Sequence, residues 1–462
     1  MDENVLIFMI DALFLLLIGL SFYLIIVYIY NLFISLFAFR KAKRDYNILP
    51  DESRFLILVA AHNEENIIRA TIRELKKIDY NPEKFDICIV SDRSDDATTQ
   101  IAIEEGVKVV DTILDKYKRE GVGKPAGLQY ALREIGFDTV RKNYDLIMIL
   151  DADNFVDYPI LKELNSQFIE KDKPMVIQSY LDSKNHNKMM SLAYSMVFWT
   201  NNRFSQLSRY RLKLNNSIGG TGFVVRSDYL IDSGGFNYNS LTEDLEMEIE
   251  ITKNNGRILW NDFAAVYDEK PETLKISMKQ RHRWAKGHFY VAFKQFLPLL
   301  WLSIRHLDIK YLDKIVFLMT MGRSTHFILM SLTIFLTVLL LTIQSEFLSV
   351  LSNATVSSFI HFINYYFVFV SVLNVTLLSY SFVFLPLFAT YAKIRNKRFI
   401  RNLYAFLYYV ITDFIIQVLA MFTWPKQNCW YNTPHIQNEI KELDEEKIID
   451  GTQEPPSSGQ MS

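Results

Sequence analysis

Leu146-Ile147-Met148-Ile149-Leu150-Asp151-Ala152-Asp153 is the stretch on which the fold turns. A run of branched or long apolar side chains bounded by charge predicts a strand buried on both faces, as in parallel sheets. The two carboxylates then stand where the strand ends and its loop begins, the edge at which open α/β sheets bind ligands. Two carboxylates one residue apart suit a divalent cation that keeps some of its water and takes its other ligands from a diphosphate, as Mg²⁺ and Mn²⁺ do with nucleotides. A solvated acidic loop would also explain the pair, so the surrounding sequence has to decide.

Outward from this strand the chain alternates. Phe55 to Ala61 reads as a strand, and His62-Asn63-Glu64-Glu65-Asn66 turns into a helix with Ile67, Ile68, Ile72, Leu75 and Ile78 at helical spacing. A strand at Phe85 to Val90 ends in Ser91-Asp92-Arg93-Ser94-Asp95-Asp96, where Asp95 or Asp96 suits a helix cap. A short strand at Val107 to Val110, a loop with Gly121-Val122-Gly123-Lys124 and a helix through Leu132 lead back to Asp151. Successive strand ends therefore bring His62 to Glu64, Asp92, Asp151 and Asp153 to one sheet edge. The pattern predicts a nucleotide pocket with a metal site and no Gly-rich dinucleotide or P-loop fingerprint.

The apolar residues are distributed unevenly. Half of the 462 residues are apolar, with 34 Phe and 25 Tyr. Val5 to Phe39 carries one charge, Asp11, and the stretches Ile315 to Ile343, Phe359 to Ala392 and Leu403 to Trp424 are each long enough for a ~30 Å hydrocarbon core. An integral membrane protein is expected, the first segment an uncleaved anchor because it is too long for a signal-peptide core and lacks a small-residue cleavage site. Acidic residues before it and Arg40-Lys41-Ala42-Lys43-Arg44 after it put the following domain in the cytoplasm of a multi-pass cell-membrane protein. A net charge of −2, with basic residues clustered beside the apolar segments, argues for lipid headgroups and against nucleic acid. Cys88 and Cys429 fit no zinc or disulfide framework, and Glu439 to Ser462 has the composition of a disordered tail.

Further on, Thr242-Glu243-Asp244 follows the glycine-rich Gly219-Gly220-Thr221-Gly222-Phe223, and acids in that position commonly start a helix. Gln280-Arg281-His282-Arg283-Trp284-Ala285-Lys286-Gly287 suits an interfacial anchor, and equally a diphosphate beside a stacked sugar ring. Taken together and in order, Asp92, Asp151-Ala152-Asp153, Thr242-Glu243-Asp244 and Gln280-x-x-Arg283-Trp284 resemble the D, DxD, TED and QxxRW signatures of membrane-bound family 2 glycosyltransferases, which include cellulose, hyaluronan, chitin and poly-N-acetylglucosamine synthases. His62 to Glu65, Gly123-Lys124, Gln178 with Asn185, and Val266 to Glu269 are supporting matches; Ser91-Asp92-Arg93-Ser94 departs from the commoner Ala-Asp-Asn-Cys or Asp-Asp-Gly-Ser.

The resemblance implies an α/β GT-A, Rossmann-like catalytic domain with α-helical transmembrane segments, and an inverting transfer from a UDP-sugar. It implies Mg²⁺ or Mn²⁺ at Asp153, a donor site with Glu64, Asp92, Lys124, Asp151 and Arg283, Asp244 as general base beside Glu243, and Gln280 and Trp284 on the acceptor. The expected division is an anchor over 1–45, the GT-A domain over 46–290, an interfacial amphipathic helix over 291–312, transmembrane or interfacial helices over 313–425 and a tail over 426–462. A processive polysaccharide synthase is the first reading. Addition of one or a few sugars to a lipid or lipid-linked acceptor is the second, and a non-catalytic membrane scaffold the third. Oligomeric state is not legible. Arg323 and His326, inside a spanning segment, either face a bundle interior or snorkel. Three spans after the domain would put the C-terminus outside, yet Trp424-Pro425 to Trp430-Tyr431-Asn432-Thr433-Pro434-His435 resembles a cytoplasmic tail motif. Leu403 to Trp424, interrupted by Asp413 and Gln417, is therefore read as interfacial or re-entrant, in preference to a hairpin within Val5 to Phe39.

Overall fold

In the computed structural model, which describes residues 3–119, 121, 123–238, 240–320, 329–336, 338, 354–395 and 397–427, the strands form an eight-stranded sheet. They are β1 (Phe55–Ala61), β2 (Phe85–Ser91), β3 (Lys108–Asp111), β4 (Leu146–Asp151), β5 (Phe155–Val156), β6 (Val176–Ser183), β7 (Phe223–Arg226) and β8 (Ile258–Asp268), in the order β3-β2-β1-β4-β7-β6-β8-β5. The first half is parallel: β1 lies between β2 and β4, with Ala61 opposite Ser91 and Ala60 opposite Asp151. The chain runs from β1 outward to β2 and β3, then returns to β4 on the other side, so a crevice opens at the C-terminal ends of β1 and β4. The alternation of side chains explains the apolar run. Ile57, Val59, Met148 and Leu150 face one core, and Leu56, Leu58, Ile147 and Ile149 face the other. Cys88 is buried in β2, where burial pushes its thiol up to about 12.

Helices cover both faces. Those of the soluble region are α2 (Ile68–Leu75), α3 (Thr98–Glu104), α4 (Gly123–Ile135), α5 (Phe137–Asn143), α6 (Ile160–Glu170), α7 (Met189–Asn201), α8 (Leu207–Arg211), α9 (Ser227–Asp232) and α10 (Glu243–Lys253), preceded by α1 (Glu3–Leu36). After β8 come α11 (Leu274–His306), α12 (Ile309–Met319), α13 (Ala354–Ser379), a π-helical turn at Tyr380–Phe384, α14 (Leu385–Ile394) and α15 (Phe399–Thr423); residues 329–336 and 338 are also helical. The Gln280 to Trp284 motif and the segment expected to be interfacial share one helix, since α11 runs through the expected division at residue 290 and has Pro298 inside it. Buried ion pairs lock α12 onto the domain, Lys314 Nζ to Glu248 Oε1 at 2.6 Å and Arg209 Nε to Asp313 Oδ2 at 2.9 Å.

By length and composition, three helical stretches among the described residues could cross a membrane: Ile18–Leu36, Val368–Ile394 and Phe399–Thr423. The hairpin alternative for Val5 to Phe39 is not what the structure contains, because α1 is uninterrupted. Arg323, His326, Cys429 and the tail from Trp430 lie outside the described residues.

Candidate active site

The crevice is furnished by strand ends. Asp151 closes β4, and its N–H donates to Asn154 Oδ1 (3.0 Å) and Thr221 Oγ1 (3.1 Å), which turns the chain so that Ala152 and Asp153 follow the rim. The Asp153 carboxylate is only 6% exposed; Oδ1 accepts from Asn154 Nδ2 (3.0 Å) and Oδ2 from the Glu269 N–H (2.8 Å). Asn185 fixes the chain just after β8, accepting from the Lys270 N–H (2.7 Å) and donating to the Lys270 carbonyl (2.9 Å). One residue past β2, Asp92 is clasped by Arg119, Nε to Oδ1 at 2.9 Å and Nη2 to Oδ2 at 2.7 Å, with the Thr112 hydroxyl adding a third bond. Gly127 of α4 makes this approach possible, since a Cβ there would sit 3.0 Å from Asp92 Cγ. Lys124, in the first turn of α4, donates to the Asp151 carboxylate and to the Gly220 carbonyl. Glu64 stands in the loop after β1, its N–H on Thr98 Oγ1 at 2.8 Å.

The other wall comes from α10 and α11. Glu243 and Asp244 open α10, so the helix-start reading is correct and the same residues also line the cavity. Acids in a first helical turn are normally favoured as anions. Here burial wins, holding Glu243 above the usual carboxylate range, and burial together with the adjacent Glu243 charge pushes Asp244 up to about 7. Gly220, at φ +76°, approaches so closely that a Cβ would lie 3.2 Å from Asp244 Oδ2. Gln178 holds this glycine loop, accepting from the Gly219 N–H (2.8 Å) and donating to the Thr221 and Gly222 carbonyls (3.1 and 3.0 Å). On α11, Gln280, Arg283 and Trp284 share a face by their i, i+3, i+4 spacing. Arg283 Nη1 donates to the Leu241 carbonyl (3.1 Å), and Trp284 meets Tyr194 edge to face at 6.3 Å. Gly287 lets the helix press against Thr242, whose Oγ1 would be 2.5 Å from an added Cβ.

Every residue singled out in the sequence, Glu64, Asp92, Lys124, Asp151 and Asp153 with Glu243, Asp244, Gln280, Arg283 and Trp284, lines one cavity of about 760 Å³. Sequence reasoning missed Arg119, the Asn154–Thr221 hydrogen bond and Tyr194, and it gave Asp268 no role; Arg119, Tyr194 and Asp268 line the cavity too. The rim is rich in negative charge. Burial, partly offset by Lys270, and the carboxylates of Asp153 and Asp151 push Asp268 up to about 6. Oxygen donors with this excess of charge fit a hard divalent cation. Among the described residues no three acidic, imidazole or thiol groups gather closely enough to enclose an ion, so a cation at Asp153 would need ligands from a diphosphate and water.

A parallel half-sheet with carboxylates at its strand ends, facing a helix that carries basic, amide and indole groups, defines a glycosyltransferase of GT-A-like fold. Residues 50–287, just over half of the chain, match glycosyltransferase-like family 2, and the chain belongs to that family. It is 28% identical over 253 residues to the probable glycosyltransferase YdaM of Bacillus subtilis, an alignment covering 53% of this chain and 58% of that protein. It is 24% identical over 262 residues to poly-β-1,6-N-acetyl-D-glucosamine synthase of Staphylococcus aureus, covering 56% of this chain and 60% of the relative. The chain thus spans about three-fifths of the length of these curated relatives. Among solved structures, a mannosyltransferase from Pyrobaculum calidifontis in complex with GDP-Man and Mn²⁺ aligns over 88% of this chain and 98% of its own at a TM-score of 0.50 and 14% identity, a likeness of fold.

Proposed function

We propose that this protein transfers a sugar from a UDP-sugar, with inversion, to a growing polysaccharide at a membrane. The observation that carries the reading is the convergence of Asp92, Asp151, Asp153, Asp244, Arg283 and Trp284, from widely separated parts of the chain, on one cavity. Its division suits the reaction. The strand-end side, with Asp92, Glu64 and Lys124, offers hydrogen-bond acceptors and a cation to a nucleotide, while Trp284 and Gln280 offer an aromatic face and an amide to a sugar acceptor.

Asp244 takes the proton of the acceptor hydroxyl as its oxygen bonds to the anomeric carbon, and the bond from that carbon to the diphosphate breaks, releasing UDP. A pKa of about 7 matches a base working near neutrality. Arg283 supplies a fixed cation where negative charge develops on the leaving group. Mg²⁺ or Mn²⁺ held by Asp153 would neutralise the diphosphate as a Lewis acid, and the Mn²⁺ in the mannosyltransferase complex supports that choice. The poly-N-acetylglucosamine synthase relationship and the apolar helices support a polymer made at a bilayer. Incubation of the purified protein with radiolabelled UDP-sugars, followed by separation of polymer from lipid extract, tests this. Label in high-molecular-weight, lipid-free product is expected; label confined to the lipid extract would replace the synthase reading with transfer of one or a few sugars to a lipid acceptor.

A further inference from the structure

The helix α15 is apolar and long enough to cross a membrane, yet its contacts are those of a helix laid along the catalytic domain. Near its start, Arg401 Nη2 donates to the Asn187 carbonyl, in the loop between β6 and α7, at 3.1 Å. At its middle, Arg281 of α11 donates to the Tyr409 carbonyl and to Thr412 Oγ1, both at 3.1 Å, and lies 3.5 Å from the Asp413 carboxylate. Just past its end, Gln427 Oε1 accepts from the Leu241 N–H at 2.9 Å, directly before Thr242-Glu243-Asp244. Between these points Ala405, Phe406 and Val410 pack with Leu192, Ala193 and Met196 of α7, and Ile416 and Ala420 with Ala285 and Phe289 of α11. A helix of 25 residues is about 37 Å long. One that crossed a bilayer would carry its far end away from the domain, and this one touches the domain at both ends.

The opposite face is a continuous apolar stripe. Ile400, Tyr404, Ile411, Ile415, Leu419 and Phe422 recur at helical spacing and are 52% to 87% exposed. Exposed Arg395, Lys397, Arg398 and Arg401 precede or open the helix, and exposed Lys426 follows it. Resting on the membrane reading above, we propose that α15 lies flat in the membrane interface, between the catalytic domain and the lipid. Its apolar stripe sinks to the headgroup and acyl boundary, its basic end lies among anionic headgroups, and the chain emerges at Gln427 on the catalytic side. Asp413 then needs no place in hydrocarbon, because the domain's own Arg281 faces it.

The test uses full-length protein with Cys429→Ser and one added cysteine at an exposed position: Glu83→Cys on the catalytic domain, Lys397→Cys before α15, or Lys426→Cys after it. A membrane-impermeant maleimide is applied to right-side-out and inside-out vesicles. All three sites should label from the same side, with label largely lost from the other. Labelling of Lys397→Cys and Lys426→Cys from opposite sides would overturn the proposal while leaving the membrane reading intact. Release of the protein by an alkaline carbonate wash would remove the membrane reading itself. Depth-dependent fluorescence quenching on Tyr404→Cys, Ile411→Cys and Phe422→Cys gives an independent check. A flat helix predicts one shallow depth for all three, whereas a spanning helix predicts Ile411→Cys far deeper than the two ends.

Discussion

Asp244→Asn separates the proposed base from its neighbours. Asparagine keeps the shape of the side chain and can still accept the Leu245 N–H that Asp244 Oδ1 holds at 2.8 Å, so the start of α10 should survive. It cannot take a proton. Loss of a positioned general base costs about 10²- to 10⁴-fold in turnover, with UDP-sugar binding retained. The pH profile carries the same information. Burial and the Glu243 charge place the group at about 7, and only the carboxylate is active, so wild-type kcat/KM should rise with pH to a plateau above about 8. Below about pH 6 it should fall about tenfold per unit, while the residual activity of the variant should be flat over this range. The assay is initial-rate transfer from labelled UDP-sugar, with donor affinity measured separately by calorimetry. An Asn variant within about tenfold of wild type and still showing the acid limb would refute the assignment, and so would a loss of donor binding as large as the loss of turnover.

Asp153→Asn should abolish transfer in a folded, membrane-fractionating protein. EDTA should do the same, with Mn²⁺ or Mg²⁺ restoring activity, whereas full activity in EDTA would remove the metal role. Gly127→Ala should push the Asp92 carboxylate off Arg119 and raise the donor KM about tenfold, the worth of one fixed hydrogen bond, with the thermal melt nearly unchanged; an unaltered KM would show that Asp92 does not touch the donor. Arg283→Lys cannot reproduce the planar fork, and Trp284→Phe loses part of the ring face and its N–H donor. The first should sharply lower transfer and the second should weaken the acceptor response. Wild-type kinetics in both would return that segment of α11 to the role of a membrane anchor.

The parallel half of the sheet was legible because its strands are buried on both faces, and Leu146 to Leu150 and Phe55 to Ala61 spell that out without interruption. The second half was not. In β6, Gln178 and Ser179 are fully buried polar residues; Gln178 is held by hydrogen bonds that only the folded glycine loop supplies, so the segment lacks a clean apolar period. Arg119 was invisible for a related reason. It sits among Lys116, Lys118 and Glu120, the composition of a solvated loop, and its partner Asp92 is close only in space. Glu243 and Asp244 showed the limit of weighing one reading against another, since the chain uses them both to start α10 and to line the cavity. The expected break at residue 290 failed to materialise because no strong helix breaker stands there, and the amphipathic period simply continues to His306.

The central claim is that the strand-end carboxylates receive a nucleotide diphosphate while α11 faces the sugar. A structure of the protein with UDP and Mn²⁺ tests it most directly. The account predicts the diphosphate between Asp151-Ala152-Asp153 and Arg283, the ion on Asp153, and the uridine beside Asp92 and Glu64, with the Trp284 face left open for an acceptor. UDP bound outside this cavity, or bound here with the ion away from Asp153, would contradict it.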